Sequence, residues 1–320
     1  MNFTIFPNRH GHFQNYAELI AKLSHQSYIP TTKKNYRTLF LSDRTLFIDG
    51  DGIDLFYASA LAPIRFLLGK KTYVFSVRTE DLMKQRPKSM IKRYLIKYLL
   101  TKYKGEFISI HNTNDELKRY TKDKNIPINY INDPQLWDLS ILKIHPRPPC
   151  ELNGVRLNHI KRKPILFIPG KMTSKRNSNH FVLRAEKLID NFTIIIAGQQ
   201  TSDFRYKLKS IRNIEKIILI DRYISDEELV FLYMYSDYIY AFYSTDIKRP
   251  SGVLGRALQL NKKVIVNKNG FLYESFGHHN NIIGVSDLCD IIFDMESAEW
   301  QPSNTKPYDS SNTLKKILLS

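Results

Sequence analysis

Cysteine is nearly absent from this chain, which has only Cys150 and Cys289 among its 320 residues. Two cysteines so far apart in the sequence provide neither the disulfide framework of a small secreted domain nor the paired spacing of a zinc site. Long apolar runs are missing too, since no stretch approaches the roughly 18 apolar residues that a membrane-spanning helix needs. These absences favour a reduced, cytoplasmic protein whose contact with a membrane would be peripheral.

Acidic residues are the second shortage. Asp and Glu number 31 against 48 Lys and Arg, which gives a formal net charge of +17. Such an excess predicts a polyanionic neighbour, namely nucleic acid, an anionic membrane surface or a phosphate-rich ligand, and the charge alone does not choose among them. The contents of 42% hydrophobic and 25% charged residues are typical of a globular protein, and the length suffices for two domains of about 150 residues each.

Short apolar strands alternate with helical patterns along the chain, which predicts parallel sheets covered by helices on both faces. The first series opens with the strand Phe3–Phe6, and a second series begins with the strand Ile165–Ile168. Between residues 142 and 164, proline and basic residues become frequent, as in a linker. We therefore predict one Rossmann-like domain at residues 1–157 and another at 158–320, the second ending in a C-terminal helix.

The second half places basic groups and a helix start where a phosphate could bind. Its first strand is followed by Gly170-Lys171 and then by Lys175-Arg176, and Ser251-Gly252 opens an apolar helix. Unpaired N–H groups at a helix start, together with the helix dipole, favour an anion. An ordinary capped helix of an α/β domain is the alternative interpretation of Ser251-Gly252.

A basic segment from Lys84 to Lys104 contains no acidic residue. Within it an apolar and aromatic stripe recurs at helical spacing, as in a cationic amphipathic helix that lies on anionic lipid. A helix that packs the stripe against the core and leaves a basic face in solvent would have the same pattern. If the membrane interpretation holds, the membrane-facing residues are Lys88, Lys92, Arg93 and Lys97.

Taken in order, the second half resembles the nucleotide-sugar-binding domain of the GT-B glycosyltransferases, specifically the large retaining group known as family 4. Members have basic residues after the first strand of this domain, a glycine after the next strand, here Gly198, and a helix that opens with acids, here after Asp221. The family's hallmark segment corresponds to residues 248–266. Lys248 and Arg256 stand there in place of two glutamates that, in the family, contact the donor sugar and the ribose.

The resemblance implies an α/β protein with the GT-B fold, in which two Rossmann-like parallel-sheet domains face a central cleft. It implies a hexosyltransferase-type enzyme that moves a sugar from a nucleoside-diphosphate sugar to a lipid-linked or surface-polysaccharide acceptor, as in bacterial capsule or lipopolysaccharide assembly. It further implies retention of the anomeric configuration, no metal, and no cofactor apart from the nucleotide-sugar substrate. We expect such an enzyme on the inner face of the plasma membrane.

Together with the basic groups, the resemblance assigns candidate site residues. The candidates for the donor diphosphate are Gly11, Lys171, Lys175, Arg176, Ser251, Gly252 and Val253. The candidates for the nucleoside are Gly198, Arg222, Tyr223, Ile224 and Arg256, and those for the donor sugar are Lys248 and Pro250. No catalytic residue is assigned; His10, His12 and Arg78 are candidates, although both histidines could equally be solvated loop residues.

Two rival functions stay open. A nucleic-acid-binding protein would suit the net charge and the 12% aromatic content. The chain has no zinc-finger spacing, RNP-type motif or arginine-rich tail, so no nucleic-acid partner is expected. The other rival is a catalytically inactive GT-B scaffold, which the two missing glutamates favour.

Overall fold

The computed structural model describes residues 3–6, 16–21, 36–50, 52–77, 82, 85–110, 128–131, 144–152, 163–247, 251–292 and 316–318. The chain divides into two compact units, of which unit 1 comprises Met1–Asp138 with Tyr308–Ser320 and unit 2 comprises Leu139–Pro307. Six of the candidates lie outside the described residues, and their predicted roles stay predictions. They are His10, Gly11, His12, Arg78, Lys248 and Pro250.

Unit 1 is a five-stranded parallel sheet in which the strands lie in chain order. Its strands are β1 (Phe3–Phe6), β2 (Arg44–Phe47), β3 (Lys71–Ser76), β4 (Glu106–Ser109) and β5 (Ile128–Tyr130). Its helices are α1 (residues 16–21), α2 (Tyr36–Leu41), α3 (Asp54–Leu67) and α4 (Pro87–Tyr103). The parallel sheet predicted from the alternating pattern is confirmed for this unit.

Helices cover both faces of the unit 1 sheet. On one face α3 and α4 pack against the strands through a buried cluster that includes Leu55, Leu99 and Phe107. On the other face α1 packs through Tyr16 and Ile20, and the chain's last described residues join them. The central strands β2, β3 and β4 therefore have apolar neighbours on both faces, which explains why β3 is buried from its second residue onward.

The C-terminal residues belong to unit 1 rather than to the second domain, where the sequence had placed them. Residues 316–318 are helical, and Leu318 is fully buried in the unit 1 core. The buried Arg44 donates a hydrogen bond from Nη1 to the carbonyl oxygen of Leu318, at 2.5 Å. Apolar burial and this hydrogen bond to β2 hold the segment in unit 1. Because the two partners are far apart in the sequence, local patterns do not predict this contact.

Unit 2 is a six-stranded parallel sheet of order β11-β10-β9-β6-β7-β8. The strands are β6 (Ile165–Pro169), β7 (Thr193–Ala197), β8 (Ile217–Ile220), β9 (Tyr238–Tyr240), β10 (Lys263–Asn267) and β11 (Ile282–Val285). The helices are α5 (Ser178–Asn191), α6 (Ser202–Leu208), α7 (Asp226–Tyr235), α8 (Gly252–Gln259) and α9 (Phe271–Phe276). This is the doubly wound strand order of dinucleotide-binding proteins, in which the direction of sheet growth reverses beside the first strand.

Candidate functional site

The reversal of strand order in unit 2 lies between β6 and β9, which pair directly. In open α/β sheets, ligands bind outside the carboxyl ends of the strands at such a switch point, because the loops from the two strands diverge there and leave a crevice. The loop after β6 contains Lys171 and Arg176, and the loop after β9 leads to Ser251. The topology thus brings two segments that are far apart in the sequence together at the carboxyl ends of the strands.

Two glycines bring the backbone of neighbouring loops into contact at these strand ends. Gly170 has φ +80° and Gly198 has φ +138°, both in the region that favours glycine. A Cβ atom on Gly198 would lie 2.7 Å from the Cα atom of Gly170. The structure therefore explains Gly198 by the close approach of the two loops, and its predicted contact with a nucleoside stays a prediction.

Arg176 is the central cation of the site. Its guanidinium lies over the ring of Tyr243, with 5.3 Å between Cζ and the ring centroid, and Nη1 donates to the carbonyl oxygen of Pro169. The Nε and Nη2 atoms are buried and make no hydrogen bond to any residue that the structure describes. Two buried donor atoms without an acceptor are costly unless one arrives, and a phosphate is the acceptor whose geometry a guanidinium matches best.

Tyr243 links Arg176 to the start of α8. The hydroxyl groups of Tyr243 and Ser251 lie 2.7 Å apart, and Ser251 Oγ accepts a hydrogen bond from the backbone N–H of Leu254 at 3.4 Å. Ser251 is therefore the N-cap of α8, and the first turn of the helix begins at Gly252. The backbone N–H of Ser244 donates to the carbonyl oxygen of Lys175 at 3.0 Å, which joins the two loops a second time.

The candidates for the diphosphate are thus brought together wherever the structure describes them. The side chains of Lys171 and Lys175 are exposed, Arg176 is half-buried, and the start of α8 lies one tyrosine ring away. Beside them a concavity of about 180 Å³, counting the solvent at its mouth, is lined by Ala241, Tyr243, Ser244, Ile247, Asn267, Gly270, Phe271 and Leu272. The two lysine ammonium groups, the guanidinium of Arg176 and the N–H groups at the start of α8 together form an arrangement suited to a diphosphate.

Arg222, a nucleoside candidate, is engaged within the protein. Its Nε lies 2.6 Å from Glu151 Oε1 and its Nη2 lies 2.8 Å from Glu228 Oε1. Hydrogen bonding to Arg222 lowers the pKa of Glu151 to about 2, and Glu228 also forms a capping box with Ser225 at the start of α7. The guanidinium therefore fixes the loop after β8. Tyr223 beside it is 82% exposed and Ile224 is half-buried, and the predicted contacts of these residues with a nucleoside stay predictions.

Arg256, which the family resemblance aligns with a glutamate, faces the first turn of α7. Its Nη2 lies 3.3 Å from Asp226 Oδ1, and its Nε is buried without a hydrogen-bond partner among the described residues. An arginine here therefore places positive charge in the last turn of α8 and pairs it with the Asp226 carboxylate at the start of α7.

Sequence reasoning missed two residues near the site. The apolar and aromatic run Tyr238–Tyr243 predicts a strand that includes Tyr243, but β9 ends at Tyr240 and Tyr243 lies in the loop. His180 lies in the first turn of α5, stacks on Phe242 at 5.1 Å between ring centroids, and has a buried Nδ1 without a partner among the described residues. Neither residue forms a motif, since each depends on which loops the sheet order brings together.

The predicted membrane-facing residues occupy different environments on α4. Lys88 and Lys97 are exposed, whereas Lys92 and Arg93 are half-buried and Arg93 donates a hydrogen bond to the carbonyl oxygen of Leu82. None of the described helices is long and apolar enough to cross a bilayer. Within the described ranges, no three His, Cys, Asp or Glu side chains cluster as metal ligands would.

No protein-family model matches the chain, and no curated protein matches it either. Solved structures do. The Anabaena protein HepE, in complex with UDP and glucose, has a TM-score of 0.61 at 10% identity and covers 99% of this chain and 95% of its own. The chain has the GT-B fold.

Two further structures support that assignment. UDP-GlcNAc 2-epimerase from Neisseria meningitidis, bound to UDP-GlcNAc, has a TM-score of 0.58 at 15% identity and covers 99% of this chain and 98% of its own. The Escherichia coli structure named trehalose-6-phosphate, bound with UDP-2-fluoro glucose, has a TM-score of 0.59 at 9% identity and covers 100% of this chain and 95% of its own. Identities this low establish the shared fold alone.

Proposed function

We propose that this protein is a glycosyltransferase that uses a nucleoside-diphosphate sugar and binds the diphosphate at the switch point of unit 2. The observation that carries the proposal is the guanidinium of Arg176, whose buried Nε and Nη2 atoms have no acceptor among the described residues and which lies one tyrosine ring from the start of α8. The UDP or UDP-sugar in the three GT-B structures is consistent with it.

In this proposal the residues of unit 2 act on the leaving group. Breaking the bond between the sugar and the diphosphate leaves additional negative charge on the phosphate oxygens. Arg176, Lys171, Lys175 and the first N–H groups of α8 would stabilise that charge as it develops, and preorganised donors of this kind are the largest source of catalysis in many enzymes. The family resemblance adds retention of configuration without a metal, and no residue is proposed as a nucleophile.

The acceptor remains a proposal that rests on the family resemblance. A lipid-linked or surface-polysaccharide sugar at the inner face of the bacterial plasma membrane fits the basic character of the chain, which carries a formal net charge of +17. The donor-sugar contacts proposed for Lys248 and Pro250 rest on the same resemblance.

The decisive binding experiment is titration calorimetry with UDP, GDP and ADP on the wild type and two site variants. Arg176→Met should lower affinity for the preferred diphosphate about thirtyfold, because a charge-assisted hydrogen bond contributes about 2 kcal/mol. Lys171→Met, which changes an exposed side chain, should lower affinity several-fold without altering the fold. Arg212→Met is the matched control because Arg212 is exposed on unit 2 outside the switch-point loops. Equal affinity of all variants would contradict the proposed site.

A second candidate function is epimerisation of a UDP-sugar. Its support is the Neisseria 2-epimerase, whose similarity covers nearly the full length of both chains. Product analysis separates the two functions: transfer to an added glycan acceptor releases nucleoside diphosphate in equal amount to the new glycoside, whereas epimerisation changes the sugar in the absence of any acceptor. Diphosphate binding with neither product would favour the inactive scaffold.

A further inference from the structure

Helix α3 is oriented with its charged residues inside and apolar residues outside. Asp54 and Arg65, its only two charged residues, are fully buried. The outward residues of α3 and its two flanking positions form an apolar row at helical spacing, which we call the α3 stripe: Ile53, Phe56, Tyr57, Ile64, Leu67 and Leu68. Leu67 is 84% exposed and Leu68 is 54% exposed. A surface helix normally has the opposite distribution.

The buried charges are held by specific hydrogen bonds, so the inversion is part of the fold. Asp54 Oδ2 accepts from the backbone N–H of Asp49 at 3.0 Å. Arg65 donates from Nε to Thr72 Oγ1 at 3.0 Å, from Nη2 to the Lys71 carbonyl oxygen at 2.6 Å, and from Nη1 to the Leu39 carbonyl oxygen. Rotating α3 to bury the stripe would break all of these bonds.

Helix α4 extends the apolar surface. It packs beside α3 on the same face of the sheet, and the rings of Phe66 and Tyr103 lie 6.0 Å apart across the two helices. Outward on α4, Met90 is 59% exposed, Ile91 is 52% exposed and Tyr94 is 68% exposed. These three residues and the α3 stripe together form what we call the α3/α4 face. Exposed apolar side chains concentrated on two adjacent helices are typical of an interaction site.

The charge on these two helices identifies the partner's chemistry. Their sequences contain one acidic residue, the buried Asp54. The basic residues of α4 are Lys88, Lys92, Arg93, Lys97 and Lys102. A second copy of this chain would bring lysine against lysine, and an ordinary protein surface would have to be both apolar and strongly acidic. An anionic bilayer presents both properties together.

We propose that the α3/α4 face docks on an anionic lipid membrane, with the α3 stripe among the acyl chains and the α4 lysines at the lipid phosphates. The sequence had suggested a membrane contact through α4 alone. The structure adds the apolar component on α3, which carries no exposed charge to oppose insertion. The proposal does not depend on the transfer reaction, because lipid binding is measured without nucleotide or acceptor.

Vesicle sedimentation tests it with the full chain. The wild type should bind vesicles of phosphatidylcholine mixed with phosphatidylglycerol, bind phosphatidylcholine alone much less, and dissociate as salt is added. Leu67→Asn should lower the partition coefficient about tenfold, because a leucine side chain leaves the apolar phase. Lys88→Glu with Lys97→Glu should lower it by a similar factor on the mixed vesicles.

Matched controls lie on unit 2. Leu183, 74% exposed on α5, is the control for the leucine, and the exposed Lys209 is the control for charge reversal. Leu183→Asn and Lys209→Glu should bind as the wild type does. Leu67→Trp preserves apolar character, so it should retain binding. On mixed vesicles it should add a blue-shifted emission component, measured as the difference from the spectrum of the wild type, which has two tryptophans of its own.

Several outcomes would overturn the proposal. The proposal is wrong if the wild type does not sediment with anionic vesicles. It is also wrong if Leu67→Asn binds as well as Leu183→Asn while circular dichroism shows that both variants are folded. If size-exclusion chromatography shows a wild-type oligomer that Leu67→Asn converts to monomer, with vesicle binding unchanged, the face is a contact between copies of this chain instead.

Discussion

The two units share a parallel-sheet plan but differ in where they place charge. In unit 2, helix α5 buries Phe181 and exposes Glu186, as an ordinary surface helix does. In unit 1, helix α3 buries Asp54 and Arg65 and exposes Leu67. The polar chemistry of unit 2 is gathered in loops at one edge of its sheet, whereas the distinctive feature of unit 1 is a helix surface.

This difference is what we expect if the two units bind different partners, as proposed above. The loops of unit 2 are fixed to each other by Arg176, Tyr243 and Ser251, an arrangement suited to a small anion. An apolar helix surface does not suit such a ligand, and it gains nothing within unit 1 because the stripe lies outside the core. This is the surface that we propose to dock on lipid.

The largest effect is expected where unit 2 requires close backbone contact. Gly198→Ala should lower the free energy of unfolding by about 3 kcal/mol or more, because a Cβ would collide with Gly170 and φ lies in a region that alanine avoids. In unit 1, Gly69→Ala is the matched substitution: φ is +68°, but no atom lies within 4 Å of the added Cβ. It should cost about 1 kcal/mol. Urea unfolding measures both, and equal losses would mean that the loop contact is not tight.

A second substitution tests the inverted helix of unit 1. Arg65→Met should lower the free energy of unfolding by about 3 kcal/mol, because the carbonyl oxygens of Leu39 and Lys71 would lose their donor inside the protein. Burial lowers the pKa of Arg65 to about 10, so the side chain is still charged at neutral pH. Arg184→Met is the control from unit 2, where Arg184 pairs with Asp287 at the surface. Thermal unfolding should show a smaller loss of stability for Arg184→Met than for Arg65→Met. A larger loss for Arg184→Met would mean that the buried hydrogen bonds of Arg65 do not stabilise unit 1.

A smaller effect is expected from the pH dependence of unit 2. Hydrogen bonding to Arg184 holds the pKa of the Asp287 carboxyl group well below its ordinary value. Since the folded-state pKa is depressed, the pair stabilises the protein above about pH 4 and the contribution is lost as the pH falls through the lowered pKa. Asp287→Asn retains an acceptor for the Cys289 backbone N–H. Between about pH 5 and 2, the free energy of unfolding of this variant should fall less than that of the wild type, by about 1 kcal/mol or less.

The control for this measurement is Asp203→Asn, which removes an exposed carboxylate paired with Lys207 one helical turn away. Its pH profile should follow that of the wild type. If Asp287→Asn also follows the wild-type profile, the pair with Arg184 does not contribute to acid stability.

The sequence predicted the fold well because parallel sheets leave a strong local signal. The run Ile194–Ile196 is buried on both faces, and such a run has to be continuously apolar. The loop Lys171–Arg176 and the helix start at Ser251 were also found from local patterns. Their connection through Tyr243 was not, because it depends on β6 and β9 lying side by side.

By itself, the sequence determined two series of parallel strands, the helices between them, and a cationic segment at α4, since each follows from residues close together in the chain. Only the tertiary structure decided that Leu318 returns to unit 1, that Arg176 meets Tyr243, and that α3 turns its charges inward. Helix α3 is apolar around most of its circumference, so periodicity did not indicate which face would meet the core. Hydrogen bonds from Arg65 to Leu39, Lys71 and Thr72 settled that rotation, and they form only when the sheet has brought those residues together.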